Sequence, residues 1–511
     1  MLNELTRDYS IISLLAFFIS LVVTPFVRRL CKKHHILDFP TTSRKIHSTP
    51  VPRLGGIAIY LAFFLPLFAI YLTDGTMYEL FVRHADTFIH LCLASTLMFL
   101  VGVYDDIWGV SALQKLFFQL LAAMLLYLLG FKIQLISIPF IGSVPLGVMG
   151  LPLTIFWIIG VTNAINFIDG IDGLACGVGF FAVSTMFILS LFLSHPMTAF
   201  FSAALAGSLF GFALYNFSPA SIFMGDSGSL FIGFVIAAIS LHGSQKSSTA
   251  VVLLIPVVAL GVPLVDTLFA VLRRIGKGLS PFTADKDHIH HRLLRMGFSS
   301  RQVVFLLYVI CCFLGIIALL MTAVTNQVLT LILIVLSVLT IGGMKLLGYT
   351  TDVFAINALA RKRIEERKRV LKRQKLADKF FTELEMAENI MQLKTILSCH
   401  FELMEFDSVR IVKKTRPFFE YRWQNQLYFK RDRVQKGLWA MTIPLETPDG
   451  TIAGELFVEK YWDSRESFLE NTLFIETLKR TLEHSLMLPG KEAVSSLRQQ
   501  PMIKSAPGMD R

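Results

Sequence analysis

Residues 163–175 read Asn163-Ala-Ile-Asn166-Phe-Ile-Asp169-Gly-Ile-Asp172-Gly-Leu-Ala175, and they place two carboxylates and two amides in an otherwise apolar region. The two aspartates are three residues apart, so on a helix or a tight turn they share one face. The glycine after each aspartate lets the backbone bend or approach a ligand. Charge is costly at membrane depth, so this stretch indicates a functional site. A polar loop with helix-capping Asn and Asp is the alternative interpretation.

The composition is that of a membrane protein. Of the 511 residues, 54% are hydrophobic and 17% are charged, and the mean hydropathy is +0.60. Soluble domains carry about 25% charged residues, so we expect an all-α polytopic membrane protein. The net charge of +11 would suit nucleic acid. However, the Lys and Arg residues lie mainly beside apolar segments, which is typical of membrane orientation and anionic lipid, and no nucleic-acid partner is expected.

Eleven apolar segments are long enough to cross a bilayer, which takes about 17–25 residues. They run over residues 10–30, 54–73, 87–104, 112–130, 148–166, 171–193, 197–216, 226–242, 250–272, 302–322 and 327–347. The first ends at Arg28 and Arg29 without a cleavage site, so it is predicted to be a transmembrane helix and not a removed signal. The six cysteines contain no C-x-x-C pair and are predicted to be small buried hydrophobes, not disulfides or metal ligands.

Basic residues orient the predicted helices. Loops 31–53 and 273–301 hold twelve Lys and Arg, whereas the loops on the other side hold three. Positive charge accumulates in cytoplasmic loops, so the N-terminus is predicted outside and the C-terminal domain inside. The 163–175 stretch and the acidic, histidine and basic motifs described in the next paragraphs then all fall on the cytoplasmic side. Several polar loops converging on one face are expected of an active site.

Two acidic motifs lie at the ends of predicted helices. Asp105 and Asp106 are adjacent, and they can bind a divalent cation or raise one another's pKa for proton transfer; a solvated surface pair is the alternative. Asp226 lies between small residues that leave room for phosphates around Mg²⁺, with an N-cap Asp as the alternative. Lys115, on the helix after the acidic pair, either pairs with a phosphate or snorkels at the interface.

A histidine motif occupies the largest basic loop. His288, His290, His291 and Arg292 fall within five residues. They can donate hydrogen bonds to a pyrophosphate, with Arg292 binding bidentately. A zinc site is disfavoured because no Cys lies nearby, and a surface basic turn is the remaining alternative.

A second basic loop precedes the second predicted span. Lys45, His47 and Arg53 lie among prolines and glycines that make the loop stiff. These side chains can complement an anionic nucleotide or lipid head group, and a plain positive-inside flank is the alternative. Asp266 and Arg273, near the end of the ninth span, receive no role.

Together these residues describe a membrane site rich in carboxylates, amides and cations. The carboxylates suit Mg²⁺ and the cations suit a diphosphate. The chain has no Walker A loop and no kinase signature. We therefore expect phosphoryl transfer by positioning and metal electrostatics, with a lipid as one substrate.

The motifs resemble the polyprenyl-phosphate N-acetylhexosamine-1-phosphate transferases, or glycosyltransferase family 4. The resemblance covers roughly residues 10–347 and is nearest to the bacterial undecaprenyl-phosphate N-acetylglucosamine-1-phosphate transferases. It rests on the order and spacing of Arg44-Lys45-x-His47, Pro52-Arg53-x-Gly55-Gly56, Asp105-Asp106, Asn163-x-x-Asn166-x-x-Asp169-Gly-x-Asp172-Gly-Leu-Ala, Phe223-Met-Gly-Asp226-Ser-Gly-Ser and His288-x-His290-His291-Arg292.

The resemblance implies transfer of a sugar-1-phosphate, expected to be GlcNAc-1-phosphate, from a UDP-N-acetylhexosamine to undecaprenyl phosphate. UMP would be released, with Mg²⁺ as cofactor and Mn²⁺ as a substitute. The reaction would lie on the cytoplasmic face of the bacterial inner membrane, at the start of cell-envelope polysaccharide, O-antigen or teichoic acid synthesis. A homodimer is a further expectation. A carrier or flippase for a lipid-linked sugar is the alternative, but no internal repeat favours it.

The resemblance also assigns roles residue by residue. Asp226 would be the main metal ligand, with Asp169 as a second. Asp105 or Asp106 would contact the lipid phosphate and act as its base if one is required. The expected catalytic residues are Asp105, Asp106, Asp169 and Asp172. The expected substrate-binding residues are Lys45, His47, Arg53, Lys115, Asn163, Asn166, Asn216, His288, His290, His291 and Arg292.

The transmembrane domain is predicted to end at residue 347. Residues 348–379 read as a basic juxtamembrane helix and linker lying along anionic lipid. Residues 380–490 are predicted to form a cytoplasmic α+β domain with strands at 409–413, 418–423, 427–430, 438–445 and 452–461 and a helix near 465–486. Part of it resembles the end of a GAF domain, so a regulatory or protein-binding role is a hypothesis. Residues 491–511 are predicted to be disordered.

Overall fold

The computed structural model describes residues 2–39, 50–72, 76–138, 142–245, 254–280 and 287–349. Further on it describes 390–403, 408–414, 419–424, 437–447 and 451–462, with a few single positions between 364 and 479. The chain divides into two compact units, residues 1–357 and 358–511.

The first unit is helical. Its helices are α1 (Leu2–Lys33), α2 (Gly56–Ala69), α3 (Thr76–Arg83), α4 (Ala85–Trp108), α5 (Ala112–Leu128), α6 (Gly150–Ile168), α7 (Leu174–Phe192), α8 (Pro196–Asn216), α9 (Gly225–Gln245), α10 (Leu254–Ala259), α11 (Gly261–Gly276), α12 (Ile289–Arg295), α13 (Ser300–Leu320) and α14 (Asn326–Leu346). Two short hairpins are formed by β1 (Leu37–Asp38) with β2 (Val51–Pro52) and by β3 (Leu135–Ile138) with β4 (Gly142–Pro145).

Nine helices of the described chain are long and apolar enough to cross a membrane: α1, α2 with its 3₁₀ extension, α4, α6, α7, α8, α9, α13 and α14. The protein is therefore a multi-pass membrane protein, but the expected count of eleven spans is not confirmed. Of the other two predicted segments, α5 has only 17 residues. The other divides into α10 and α11 at Leu260, close to Pro263. A proline removes one backbone hydrogen bond and crowds the preceding turn, which accounts for the division.

Helix α9 lies at the centre of the first unit. Residues 230–239 of this helix are all buried, and it packs against α4 and α6. At the edge of the unit, α1 packs along α8. A side chain at Gly207 or Gly211 would overlap backbone atoms of Ser13 or Phe17. Small residues allow such close helix contact inside a membrane, where packing replaces the hydrophobic effect.

One face of α1 is directed away from the protein. Leu14, Phe18, Val22 and Phe26 recur every four residues and are 55–71% exposed. A continuous apolar stripe of this size would be unfavourable in water. It matches a helix that faces lipid, which agrees with the membrane assignment.

Backbone pairing joins the first loop to the start of α9. Phe223 N donates to Pro52 O at 2.8 Å, and Gly55 N donates to Phe223 O at 2.9 Å. Gly56 N donates to Met224 O at 2.9 Å. These bonds fix Arg53 and the start of α9 relative to each other.

The described part of the second unit contains α15 (Ile390–Leu403) and four strands, β5 (Ser408–Lys413), β6 (Phe419–Gln424), β7 (Gly437–Glu446) and β8 (Ile452–Trp462). The strands form an antiparallel sheet in the order β6-β5-β8-β7. Leu397 and Phe401 of α15 share a buried apolar cluster with Val409, Ile411 and Leu456 of the sheet. Four predicted strands are thus observed. The predicted strand 427–430 lies outside the described residues, as do most of the helix near 465–486 and residues 491–511.

Candidate active site

Asp106 joins α4 to the first turn of α9. Its Oδ1 accepts from Asp226 N at 2.9 Å and its Oδ2 accepts from Ser227 N at 3.0 Å. Arg53 Nη2 also donates to Oδ1, at 3.3 Å. The first N–H groups of a helix have no partner within the helix, so this carboxylate caps α9 from a neighbouring element. Gly225 has φ +71°, and a Cβ there would lie 2.3 Å from Asp106 Oδ2, so only glycine fits.

Lys115 bridges two carboxylates. Its Nζ lies 2.6 Å from Asp105 Oδ2 and also contacts Asp226 Oδ2. Asn166 Nδ2 donates to the other oxygen of Asp226, at 2.8 Å. The side chain of Lys115 is only 18% exposed, so the predicted alternative of a lysine extended to the interface is wrong. Instead, a positive charge lies between the acidic residues of α4 and α9.

Two amides of the opening stretch are ordered by neighbouring helices. Asn163 Nδ2 donates to Gln119 Oε1 at 2.8 Å, and Gln119 Nε2 donates back to Asn163 Oδ1 at 3.3 Å. Asn166 Nδ2 also donates to Ser229 Oγ, at 2.8 Å. The pairs join α6 to α5 and α9, and they leave Asn166 directed at Asp226.

The loop after α6 holds the remaining aspartates. Asp172 Oδ2 accepts from Ala220 N at 2.9 Å, which ties this loop to the one before α9. Tyr308 OH of α13 donates to Gly173 O. The pKa of Asp169 lies well above its ordinary value because of burial, reinforced by the charges of Asp226 and Asp106. Burial among other carboxylates therefore disfavours the charged form of Asp169.

Helix α12, with His288 at its start, is called the histidine helix below, and residues 169–173 after α6 are called the acidic loop. The two meet at Gly170 and His290. A Cβ at Gly170 would lie 2.8 Å from His290 Nε2. The rings of His288 and His290 are parallel within 3°, with centroids 5.7 Å apart. Burial and the neighbouring His291 lower the pKa of His290 to about 3, so its ring is neutral at ordinary pH. The pKa of His291 is lowered too, first by burial.

Arg292 contacts the end of the last membrane helix. Its Nη1 donates to Leu347 O at 2.9 Å, and its Nε donates to Asp287 O at 3.2 Å. Its Cζ lies 3.9 Å from the centre of the Tyr349 ring. These are structural contacts, and the predicted pyrophosphate role of Arg292 stays a prediction.

The remaining expected residues are Asn216, Lys45, His47 and Arg53. Asn216 is buried and its Nδ2 donates to Ile222 O at 3.0 Å, so it shapes the loop before α9. Lys45 and His47 lie outside the described residues. Arg53, in contrast, forms an ion pair with Asp106 of the acidic pair. Its Nη1 also lies 3.9 Å from Asp38 Oδ1.

The sequence did not reveal a role for Asp266 of α11. This residue is 1% exposed and accepts hydrogen bonds from His288, Ile289 and Tyr349. A single charged residue in an apolar segment was the available signal. Its partners could not be inferred, because Tyr349 is 83 positions away.

The residues around Lys115 fit a divalent cation bound together with a substrate. Within the described ranges, no three His, Cys, Asp or Glu side chains are grouped as a complete metal site. Mg²⁺ commonly uses one or two protein carboxylates and completes its shell with phosphate oxygens and water. Asp105 and Asp226 already converge on one cationic group, so their placement matches that requirement.

Comparison with known proteins identifies the family of the chain. Glycosyl transferase family 4 matches residues 88–244. A probable undecaprenyl-phosphate N-acetylglucosaminyl 1-phosphate transferase from Bacillus subtilis is 38% identical over 315 residues, covering 61% of this chain and 85% of that protein. The chain belongs to glycosyl transferase family 4.

Two further relatives cover a similar share of the chain. A decaprenyl-phosphate N-acetylglucosaminephosphotransferase from Mycobacterium leprae is 36% identical, covering 61% of this chain and 82% of that protein. An undecaprenyl-phosphate alpha-N-acetylglucosaminyl 1-phosphate transferase from Escherichia coli is 30% identical, covering 60% and 81%. The family 4 resemblance seen in the motifs is therefore confirmed.

Proposed function

We propose that this family 4 member transfers N-acetylhexosamine-1-phosphate, with GlcNAc-1-phosphate as the favoured group, from a UDP-sugar to undecaprenyl phosphate. UMP is the second product. The proposal is carried by the convergence of Asp105, Asp226 and Lys115 beside Asn166, in a chain whose relatives are named for this transfer. The reaction is placed on the cytoplasmic face of a bacterial inner membrane and begins a cell-envelope polymer.

The acidic residues divide into two roles. Asp226 and Asp105 would hold Mg²⁺, with Mn²⁺ as a substitute, and Asp169 as the second ligand implied by the resemblance stays a prediction. When bound, the dication would supply charge neutralisation for the diphosphate. Asp106 uses both oxygens to cap α9, so it acts by holding Asp226 in place. Asp105, whose Oδ2 contacts Lys115, would hold the ion on the side proposed for the acceptor phosphate.

The acceptor needs little activation by a base. The second pKa of a phosphate monoester is near 6, so the lipid phosphate is mostly ionised at neutral pH. Lys115 can pair with its oxygens once the carboxylates have another cation to hold. Positioning and charge neutralisation then supply most of the rate.

The donor side is assigned to the histidine helix and the acidic loop. Neutral His290 contacts Gly170, between Asp169 and Asp172. A neutral imidazole can both donate and accept hydrogen bonds, which suits a sugar and its diphosphate. Lys45, His47 and Arg53 are proposed to complete the anion-binding set.

UMP release tests the function directly. Detergent-solubilised protein with undecaprenyl phosphate, UDP-GlcNAc and Mg²⁺ should release UMP without any vesicle. A panel of other UDP-N-acetylhexosamines would define the donor. If no donor in the panel yields UMP, the transferase assignment is wrong, and a carrier for a lipid-linked sugar becomes the better interpretation.

Substitution of Asp226 tests the site. Asp226→Asn should lower turnover by roughly 10²-fold or more, because the amide cannot neutralise a cation. The fold should persist, since Asp106 caps α9 through backbone N–H groups. The matched control is Asp86→Asn, at an exposed carboxylate in the first turn of α4, which should retain wild-type turnover. Wild-type turnover in Asp226→Asn would contradict the metal assignment.

A further inference from the structure

Asp266 gathers three hydrogen bonds in a buried position. Its Oδ2 lies 2.9 Å from His288 Nδ1. Its Oδ1 accepts from Ile289 N at 2.8 Å and from Tyr349 OH at 2.9 Å. The donors come from the start of α12 and from the chain just after α14. A carboxylate with three specific donors is well suited to holding separate segments together.

The bonds from Asp266 to His288 and Ile289 fix the position of the first residues of α12. His288 is the N-cap residue of α12 and makes no capping hydrogen bond with its own side chain. The N–H of Ile289 is one of the groups that a helix leaves unpaired, and Asp266 supplies the missing acceptor. The position of α12, and hence of His290 beside Gly170, depends on this contact.

The bond to His288 also fixes the tautomer of its ring. An ionised carboxylate only accepts hydrogen bonds, so His288 Nδ1 must carry the proton. In the neutral ring, Nε2 is then the acceptor and is the nitrogen left for a ligand. A carboxylate that orients an imidazole in this way acts through the histidine and need not touch the substrate.

We propose that Asp266 is a positioning residue for donor binding: it orients His288 with Nε2 as the acceptor and anchors α12 against the acidic loop. This inference rests on the proposed function, because it takes the histidine helix as the site of the UDP-sugar. It adds a residue from α11 that acts through His288.

The Asp266→Asn variant changes the tautomer of His288 while keeping the hydrogen bonds that hold the neighbouring segments together. Both Ile289 N and Tyr349 OH bond to Oδ1, so the amide oxygen takes that place and keeps both bonds. The amide NH₂ then replaces Oδ2 and faces His288 Nδ1. The ring must accept there and move its proton to Nε2.

We expect Asp266→Asn to raise the KM for the UDP-sugar about tenfold, as for one misdirected hydrogen bond at a buried site. The KM for undecaprenyl phosphate should stay within about twofold, since the acceptor side is unchanged. A merely structural role would lower the amount of folded enzyme and leave both KM values unchanged. That outcome, with active wild-type enzyme, overturns the inference but leaves the proposed function intact.

A double-mutant cycle tests whether Asp266 acts through His288. The double variant Asp266→Asn with His288→Asn should have the same kcat/KM for the UDP-sugar as His288→Asn alone, within about twofold. Losses that multiply would show that Asp266 has an independent role and would overturn the inference.

The Tyr349→Phe variant gives a further test, which does not depend on whether the Asp266 variants fold. It removes the donor to Oδ1, keeps the ring beside Arg292, and leaves the Oδ2–His288 bond intact. The KM for the UDP-sugar should remain within about twofold of wild type. A rise as large as that expected for Asp266→Asn would show that Tyr349, and not the His288 bond, controls donor binding.

Discussion

At the scale of single residues, His290 makes stability depend on pH. Its pKa in the folded protein is about 3, lowered first by burial, against an ordinary value of 6.5. Between these values the unfolded chain binds a proton that the folded protein excludes. The contribution of this residue to stability is therefore present above pH 6.5 and decreases as the pH falls, by up to about 1.4 kcal/mol per pH unit.

Thermal unfolding in detergent between pH 7.5 and 5 measures this effect. The wild-type Tm should fall on acidification, and His290→Asn should have a smaller slope because it removes one such proton. The matched control is His34→Asn, at an exposed ring, which changes the histidine count equally and should keep the wild-type slope. Equal slopes for His290→Asn and wild type would contradict the burial of a neutral ring.

The residues of the site were predictable where polar groups interrupt apolar segments. Asp105 and Asp226 stand out in the sequence because an isolated charge is costly there. Their partner was not predictable: the bridge made by Lys115 depends on where α5 lies against α9, and Asp226 is 111 positions from this lysine. Asp266 was visible but unassigned for the same reason, since its donors come from segments 22 to 83 positions away.

At the scale of elements, the crossing of α4 and α9 sets the geometry of the acidic cluster. A Cβ at Gly102 would lie 2.5 Å from both Asp226 O and Ser227 Cα. Gly102→Ala must therefore push the helices apart and pull Asp106 from the N–H groups that it caps. We expect a loss of about 1–3 kcal/mol in stability, as for an overpacked core, together with lower turnover per folded molecule.

Comparison of Tm and of UMP release per folded protein tests this expectation. The matched control is Gly160→Ala on α6, where a Cβ would meet no atom within 4 Å. That variant should match wild type in both measurements. Unchanged turnover in Gly102→Ala would mean that the spacing of α4 and α9 is not limiting.

Helix positions were predicted well because apolar length and basic flanks are local properties of the sequence. Each of the eleven predicted segments contains a helix, but the count of spans was less predictable. The division near Pro263 and the short α5 depend on packing, which the hydropathy of a segment does not record.

At the scale of the whole molecule, every described site residue lies in the first unit, residues 1–357. We expect a chain lacking residues 380–511 to release UMP in detergent within about twofold of the full chain, since it keeps every one of those contacts. The second unit has its own sheet and buried core, so the regulatory role hypothesised for it should be visible only in cells. Unchanged polymer output in cells carrying the shortened chain would remove that role.

The cap that Asp106 places on α9 has a consequence for how variants of this protein would fare in a cell. Its carboxylate holds the first turn of α9, the most buried of the described membrane-spanning helices. Its removal would therefore expose the chain to the membrane proteases that clear misassembled proteins. Loss of Asp226 would leave an inactive protein at normal abundance. Two aspartates in contact would thus be needed for different reasons. Asp106 would keep the amount of protein in the membrane normal, and Asp226 would keep that protein active.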